Sequence, residues 1–187
     1  MANWYTADLH FNHSNIIQHY SRPFGSAKEM DKELLRRMQC VDEDDDLWIL
    51  GDFAFARNAE SRRYVAELYE AVPGRKHLVR GNHDHKSTLS LPWSSVQDLA
   101  EIKDNDQNLV LCHYPLLTWN RARYGALHLF GHVHDQFSGY AGALNVGVDC
   151  WDFRPLRLSK IQSQVRRLVS RPAIWVDGNN DEKKQSK

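Results

Sequence analysis

The sequence predicts an α/β fold, which some schemes would class as α+β. Five short apolar runs, at residues 4–7, 47–50, 77–79, 109–112 and 127–130, have the length and composition of buried strands. Two segments with helical spacing separate the first three runs, and this alternation is typical of a largely parallel sheet. After these elements the alternation of strands and helices gives way to a predicted hairpin, which indicates a second, mixed sheet.

The two helical segments carry recognisable start signals. Residues 27–39 have apolar side chains on one face and begin with Ser26-x-x-Glu29, the pattern of a capping box. Residues 58–72 repeat the apolar spacing and are expected to begin at Asn58, a residue type that often caps helices. We expect both helices to pack their apolar faces against the first sheet.

The second half of the chain is predicted to contain a hairpin, a further strand and a closing helix. Residues 96–103 and 109–112 are predicted to pair as an antiparallel hairpin across a turn at residues 104–106. Residues 144–148 are predicted as a further strand and residues 159–170 as a closing helix.

Length and composition favour a single globular domain. The chain has 187 residues, of which 42% are hydrophobic and 26% charged, and these values are ordinary for a protein with one core. We assign residues 1–172 to this domain. Residues 173–187 form a polar segment without periodicity, which we expect to be a flexible tail.

Charge and cysteine content exclude several classes of protein. Lys plus Arg and Asp plus Glu both number 24, so no overall field attracts nucleic acid or anionic lipid. No stretch approaches the roughly 18 apolar residues of a membrane-spanning helix, and residues 1–8 do not form a secretory leader. We therefore expect a cytoplasmic protein that does not bind membranes. The three scattered cysteines indicate neither disulfides nor a thiolate metal site.

Each of the five apolar runs is followed directly by side chains that can bind metals. The carboxyl ends of strands in α/β sheets border one crevice, so these side chains should converge. Helix capping or ordinary packing explains any one of them equally well, but it does not explain five strand ends at once. The predicted ligands are Asp8, His10, Asp52, Asn82, His113, His132 and His134.

Spacing within the motifs supports a shared site. Residues two apart on an extended segment point to the same side, so Asp8 can act with His10, and His132 with His134. Glycine at three strand ends permits sharp turns and close approach of the backbone to an ion. These glycines are Gly51, Gly81 and Gly131. Imidazole, carboxylate and amide donors without thiolate suit Mn²⁺, the ion we expect, and also Fe, Zn or Ni.

In this order the motifs resemble those of the calcineurin-like metallophosphoesterases. That family is marked by Asp-x-His, Gly-Asp, Gly-Asn-His-Asp, a lone His and Gly-His-x-His, and every motif is present here. The resemblance covers residues 1–158 and is greatest to small single-domain bacterial and phage members. It implies a four-layer αββα sandwich, in which two mixed β-sheets are flanked by helices and the site lies on loops at one end.

The resemblance also implies how the ligands divide between two divalent or trivalent metal ions. Asp52 would bridge the ions, and each would have three further ligands: Asp8, His10 and His134 for one, and Asn82, His113 and His132 for the other. His83 would serve at the substrate's phosphate as general acid or transition-state donor, with Asp84 orienting its ring. His83 could instead be a ligand or a packing residue.

Two ions at the usual separation of about 3.5–4 Å acidify a shared water and clamp the phosphoryl oxygens. The expected reaction is hydrolysis of a phosphodiester or phosphomonoester by a metal-bridging hydroxide. The expected substrate is a small phosphate ester, with nucleotides and cyclic phosphates among the candidates. A nuclease acting on DNA or RNA is an alternative that the neutral charge balance disfavours. A non-catalytic protein-interaction scaffold with this fold is an alternative of another class.

Five further residues are candidates for substrate contacts. They are His13, Arg22, Arg57, Arg121 and Arg123. His13 lies near His10 in the sequence and can border the pocket, and each arginine could bind a phosphate. For the segment with Arg121 and Arg123, a solvated loop holding a packed tryptophan explains the sequence equally well.

Overall fold

Two five-stranded β-sheets form the body of the protein in a computed structural model that describes residues 1–169. The strands of sheet 1, in spatial order, are β10 (Leu156–Arg157), β1 (Asn3–Thr6), β2 (Asp46–Ile49), β3 (Arg75–Val79) and β4 (Ser95–Gln97). The strands of sheet 2, in spatial order, are β5 (Leu99–Asp104), β6 (Gln107–Cys112), β7 (Leu127–Phe130), β9 (Ala143–Asn145) and β8 (Gly139–Tyr140). The predicted tail, residues 173–187, and the last residues assigned to the domain lie outside the described residues.

Both sheets are mixed. Strands β1 to β4 run parallel and β10 runs antiparallel to β1, while β6, β7 and β9 run parallel with antiparallel β5 and β8 at the edges. This arrangement, with helices at its flanks, confirms the predicted fold class. All five predicted apolar runs are strands, and they are β1, β2, β3, β6 and β7.

Helices cover the outer face of sheet 1. The helices within residues 1–169 are α1 (Ser14–His19), α2 (Ala27–Met38), α3 (Ala59–Ala71), α4 (Lys86–Leu89) and α5 (Leu158–Val165). Both predicted caps are present, since Ser26 Oγ accepts from Glu29 N at 3.2 Å and Asn58 Oδ1 accepts from Ser61 N at 2.8 Å. In this part of the chain, no helix has the length and apolar content needed to cross a membrane.

Three apolar clusters follow from strand alternation. Helices α1, α2 and α3 pack on sheet 1 through a cluster that includes Leu34, Leu47 and Val65. A second cluster fills the space between the sheets and takes in α5, which places this predicted closing helix at Leu158–Val165. The third lies on the outer face of sheet 2, because its members in β6 and β7 alternate with those of the second cluster.

The predicted strand at residues 96–103 is wrong as a single element. The chain divides at Asp98, so that β4 pairs with β3 in sheet 1 and β5 pairs with β6 in sheet 2. Only β5 and β6 form the predicted hairpin, with register from Leu99 opposite Cys112 to Asp104 opposite Gln107. Asp98, a residue type that is uncommon in strands, stands at this change of sheet, but one such residue in the sequence does not show that the chain leaves one sheet for the other.

The outer face of sheet 2 is covered by the loop of residues 113–126, which includes a 3-10 turn at Ala122–Tyr124. Buried His128 on β7 holds this loop, because its Nδ1 donates to Val110 O at 3.0 Å and its Nε2 accepts from Leu116 N at 3.1 Å. Burial lowers the pKa of His128 to about 4. The neutral ring is therefore part of the folded structure.

This lowered pKa predicts acid sensitivity. Because the folded pKa lies below the unfolded value, the stability from His128 is present above about pH 6.5 and is lost as pH falls through 4, by on the order of 3 kcal/mol. In His128→Gln the free energy of unfolding should fall less over this range than in wild type, as measured by urea denaturation at several pH values. Exposed His85→Gln is the control, and a wild-type pH slope in the His128 variant would contradict the assignment.

Candidate metal centre

The loops after β1, β2, β3, β6 and β7 meet where the two sheets join. A parallel bridge pairs Ala7 of the first loop with Gly147, just beyond β9 of the other sheet, and Val148 N donates to Ala7 O at 3.0 Å. Backbone bonds link the first two loops as well, with Asp8 N donating to Gly51 O at 3.1 Å and His10 N to Asp52 O at 2.9 Å. The predicted convergence of strand ends is therefore present.

The structure brings all seven predicted ligands into one cluster. Two groups have possible ligand atoms within 4.8 Å of one another: Asp8 with His10 and His134, and Asp8 with Asp52 and His113. Asn82 joins the second group, since its Oδ1 lies 3.1 Å from His113 Nε2. His132 stands beside it, with its ring centroid 5.0 Å from that of His113.

Asp52 lies between the two groups. Its Oδ2 is 3.5 Å from His10 Nε2 and 3.6 Å from His113 Nε2, whereas its Oδ1 accepts the backbone N–H of His83 at 2.8 Å. One oxygen thus fixes the side chain while the other faces both groups. The two groups identified by distance share Asp8, whereas the family resemblance implies that Asp52 is the bridge, and the position of Oδ2 suits that role.

The chemistry of these donors fits metal ions. Burial and then the charge of neighbouring Asp52 raise the pKa of Asp8 well above its usual value, because two adjacent carboxylates without a cation repel each other. Burial lowers the pKa of His10, which favours the neutral imidazole that metals bind. His10 Nε2 is also buried without a hydrogen-bond partner among the described residues. A cation would satisfy all three groups.

Hydrogen bonds to the far ring nitrogens orient the histidines. His113 Nδ1 lies 2.8 Å from Leu50 O, and His134 Nδ1 lies 2.7 Å from Asp149 Oδ2. In each ring the Nδ1–H donates outward, which leaves Nε2 as the ligand atom. His10 Nδ1 lies 3.3 Å from His13 Nδ1, so a hydrogen bond between the two rings holds His10 in place.

Several ligands have left-handed backbone conformations. The φ angles are 57° at Asp8, 52° at His10, 57° at Asp52, 70° at His132 and 48° at His134. Asp8, His10 and His134 do lie together, but alternation along an extended segment is not the reason, because these residues are not extended. Such conformations cost roughly 1–3 kcal/mol each outside glycine, and they cluster at functional sites where surrounding structure enforces them.

Glycines at the strand ends make room for the ligands themselves. Gly51 has a φ of 87°, and a Cβ atom there would collide with the His113 ring. A Cβ atom on Gly131 would lie 2.6 Å from Asp8 Oδ2. These glycines were expected to let the backbone approach an ion, and in the structure they make room for the ligand side chains His113 and Asp8.

His83 and Asp84 occupy different places. The half-buried His83 ring borders the cluster, with its centroid 5.4 Å from that of His10 and 6.2 Å from that of His13. The Asp84 carboxylate instead accepts the backbone N–H groups of Asp52, Phe53 and Gly81 at 2.8–3.0 Å. Asp84 therefore ties two ligand loops together, and this role replaces the expected one of orienting the His83 ring.

Comparison with known families agrees with this geometry. Residues 4–114, more than half of the chain, match the family described as calcineurin-like phosphoesterase. The chain belongs to this family. It is thus a phosphoesterase of a metal-dependent family, and it carries candidate ligand groups for the metal.

Sequence relatives of this phosphoesterase occur in an archaeon and in phages, and a bacterial protein shares its fold. An uncharacterized protein of Methanocaldococcus jannaschii is 27% identical over 169 residues, which cover 86% of this chain and 89% of that protein. The gene 66 protein of Mycobacterium phage L5 is 23% identical over 209 residues, with 94% and 93% covered. The crystal structure of a protein of unknown function from Aquifex aeolicus has a TM-score of 0.71 at 24% identity, covers 87% of this chain and 98% of its own, and supports the fold alone.

Arg22 has a structural position in this phosphoesterase. It donates twice to Asp149, at 2.7 and 2.9 Å, and also to Asp8 O, Leu9 O and the sulfur of Met30. Its side chain is fully buried. All five guanidinium N–H groups are occupied, so the predicted contact with substrate is replaced by support of the ligand loops.

Asp149 was not found by the sequence analysis. Its carboxylate accepts hydrogen bonds from Arg22 and from the His134 ring. Burial by itself would raise the pKa of Asp149, but the contacts with His134 and Arg22 hold it below the usual value. The signal was available, because Asp149 closely follows the predicted strand at residues 144–148. Tyr20 was also missed, and its ring stacks on that of His134 with centroids 3.5 Å apart.

The other candidate substrate residues divide by location. His13 and Arg57 lie on one side of the cluster, where both contact the ring of Phe55. Arg121 lines a surface cavity with Glu101 and Lys103 of the β5–β6 hairpin, and Arg123 lies over its neighbour Tyr124. Substrate contact by any of these four residues stays a prediction.

Removing the charge of Asp149 should weaken metal binding without removing a ligand. In Asp149→Asn we expect metal affinity to fall roughly 10- to 100-fold, because the His134 ring loses its charged acceptor. Equilibrium dialysis against Mn²⁺ with elemental analysis measures this. Asp152→Asn is the matched control, since the exposed Asp152 carboxylate pairs with Arg37 and Arg154 away from the cluster. Equal affinities of the two variants would contradict the role given to Asp149.

Proposed function

We propose that this chain is a dinuclear metal-dependent hydrolase of small phosphodiesters or phosphomonoesters, with Mn²⁺ as the expected ion. The observation that carries the proposal is the place of Asp52 Oδ2, at 3.5 Å from His10 Nε2 and 3.6 Å from His113 Nε2. One carboxylate oxygen that faces donors of both groups suits a bridge between two ions. The remaining donors would supply each ion with nitrogen and oxygen ligands of the kind that Mn²⁺, Fe, Zn and Ni accept.

When bound, the two ions would acidify a shared water to supply the hydroxide nucleophile and would neutralise charge on the phosphoryl group. The chain itself places little negative charge at the centre, because Asp8 and Asp52 are the only carboxylates among the seven donors. Two divalent ions would then leave a net positive charge that attracts an anionic ester to a protein with no net charge.

His83 is proposed as the residue that donates to the substrate. Its backbone N–H is held by Asp52 Oδ1, and its ring is half-buried at the edge of the cluster beside His10. A ring so placed can reach an oxygen of a phosphate bound at the centre, either to stabilise developing charge or to protonate the leaving alkoxide. The product is then an alcohol and a phosphate.

The bridge is tested by Asp52→Asn. We expect this variant to lose both ions together, because the amide has no charge and only one oxygen, and to lose hydrolysis of bis(p-nitrophenyl) phosphate with added Mn²⁺. Elemental analysis after dialysis gives the metal content of wild type and variant. A wild type that binds a single ion would refute the dinuclear centre. A wild type that binds no transition metal and hydrolyses no mono- or diester would favour a non-catalytic scaffold.

The role of His83 is tested separately. His83→Ala should lower kcat by roughly 10²- to 10⁴-fold while metal content stays at the wild-type level. His85→Ala is the control, because His85 is exposed two residues away and makes no side-chain cap to α4. Loss of metal from the His83 variant would show that the residue is a ligand instead of a donor.

A further inference from the structure

A cavity of about 530 Å³ lies beside the metal centre and has no part in the function proposed above. The residues that line it are Asn12, Lys28, Phe55, Arg57, Asn58, Glu60, Ser61 and Tyr64. This volume falls in the range of roughly 300–1,000 Å³ that holds small ligands. We propose that this cavity binds the nucleoside part of a nucleotide whose phosphate occupies the metal centre.

Two short ring contacts connect the cavity to the centre. The ring of ligand His10 lies 5.3 Å from that of His13, and the ring of His13 stacks on Phe55 at 4.5 Å and 12°. Asn12 strengthens this wall, because its side chain donates to Phe55 O at 2.9 Å and its backbone N–H donates to Asp31 at 3.0 Å. The His13 and Phe55 rings therefore lie between the metal centre and the cavity, and in this proposal a nucleotide anchored at the metals would extend across them.

The cavity offers flat surfaces for a planar ring. The Arg57 guanidinium lies over the Phe55 ring, 4.6 Å from its centroid. The same Phe55 ring also stacks with His13. A guanidinium held over an aromatic ring can stack in turn on a nucleobase, as it does in many nucleic-acid complexes. Tyr64 adds a second aromatic side chain, fixed by donation from its hydroxyl to Asp31 at 3.0 Å.

The charges in the cavity suit a nucleotide better than a simple polyanion. Within residues 1–169, neither Lys28 nor Arg57 forms an ion pair, so both cations are available to a ligand. Asn58 and Ser61 are already occupied with each other in the cap of α3. Glu60 places one carboxylate in the same lining, which would repel a bare polyanion but can accept from sugar hydroxyls or base amino groups.

This inference rests on the proposed function for its phosphate end, and the test separates the two. The probe is the phosphonate analogue of adenosine monophosphate, whose carbon–phosphorus bond resists hydrolysis, and methylphosphonate is the matched anion without a nucleoside. Calorimetry with the Mn²⁺-supplemented full chain compares wild type with the double variant Lys28→Ala, Arg57→Ala. Arg63→Ala is the control, an exposed arginine on α3 outside the cavity lining.

Wild type and the Arg63 control should bind the nucleotide analogue at least about tenfold more tightly than methylphosphonate, and the double variant should lose most of this preference. Equal binding of both probes by wild type, or an unchanged preference in the double variant, overturns the proposal. Hydrolysis of bis(p-nitrophenyl) phosphate is followed in parallel. Hydrolysis without nucleotide preference refutes the cavity alone, whereas nucleotide preference without hydrolysis refutes the catalytic proposal and supports the cavity.

Discussion

The backbone pairing of Ala7 with Gly147 is the constraint on which the site depends. It joins the two sheets at their carboxyl ends, one residue before Asp8, and so fixes the distance between ligands that belong to different sheets. The buried pair of Arg22 and Asp149 works across the same seam, since Arg22 holds the Asp8 loop while Asp149 holds His134. The interior of the sandwich supplies the rigidity, and these few polar bonds set the positions of the ligands.

The electrostatics of the centre follow from its burial. The carboxylates of Asp8 and Asp52 lie together with almost no contact with water, an arrangement that is unfavourable until positive charge is added. The loops nevertheless hold this arrangement through left-handed residues and through backbone donors aimed at carboxylate oxygens, such as His132 N to Asp8. Holding the ligands in this arrangement therefore lowers the stability of the fold, and it creates a site for cations.

Much of this arrangement could be predicted from sequence, because strands and their ends follow from local patterns. The apolar runs located β1, β2, β3, β6 and β7, and the rule that parallel strand ends meet placed Asp8, Asp52 and His113 together. The change of sheet at Asp98 and the burial of Arg22 could not be predicted, since both depend on contacts between distant segments. The left-handed backbone conformations of the ligand residues could not be predicted either, because the residue type Asp or His does not determine the φ angle.

The loop after His113 serves two purposes at once. Trp119 belongs to the core on the outer face of sheet 2, while Tyr114 at the start of the loop lies against His132. Changes that reshape this rim of the site therefore disturb packing. On the other side of the site, exposed Lys28 lies in the first turn of α2 and exposed Arg57 lies just before the cap of α3. New substrate preferences should arise more readily on the second side, where sequence can vary with little harm to folding.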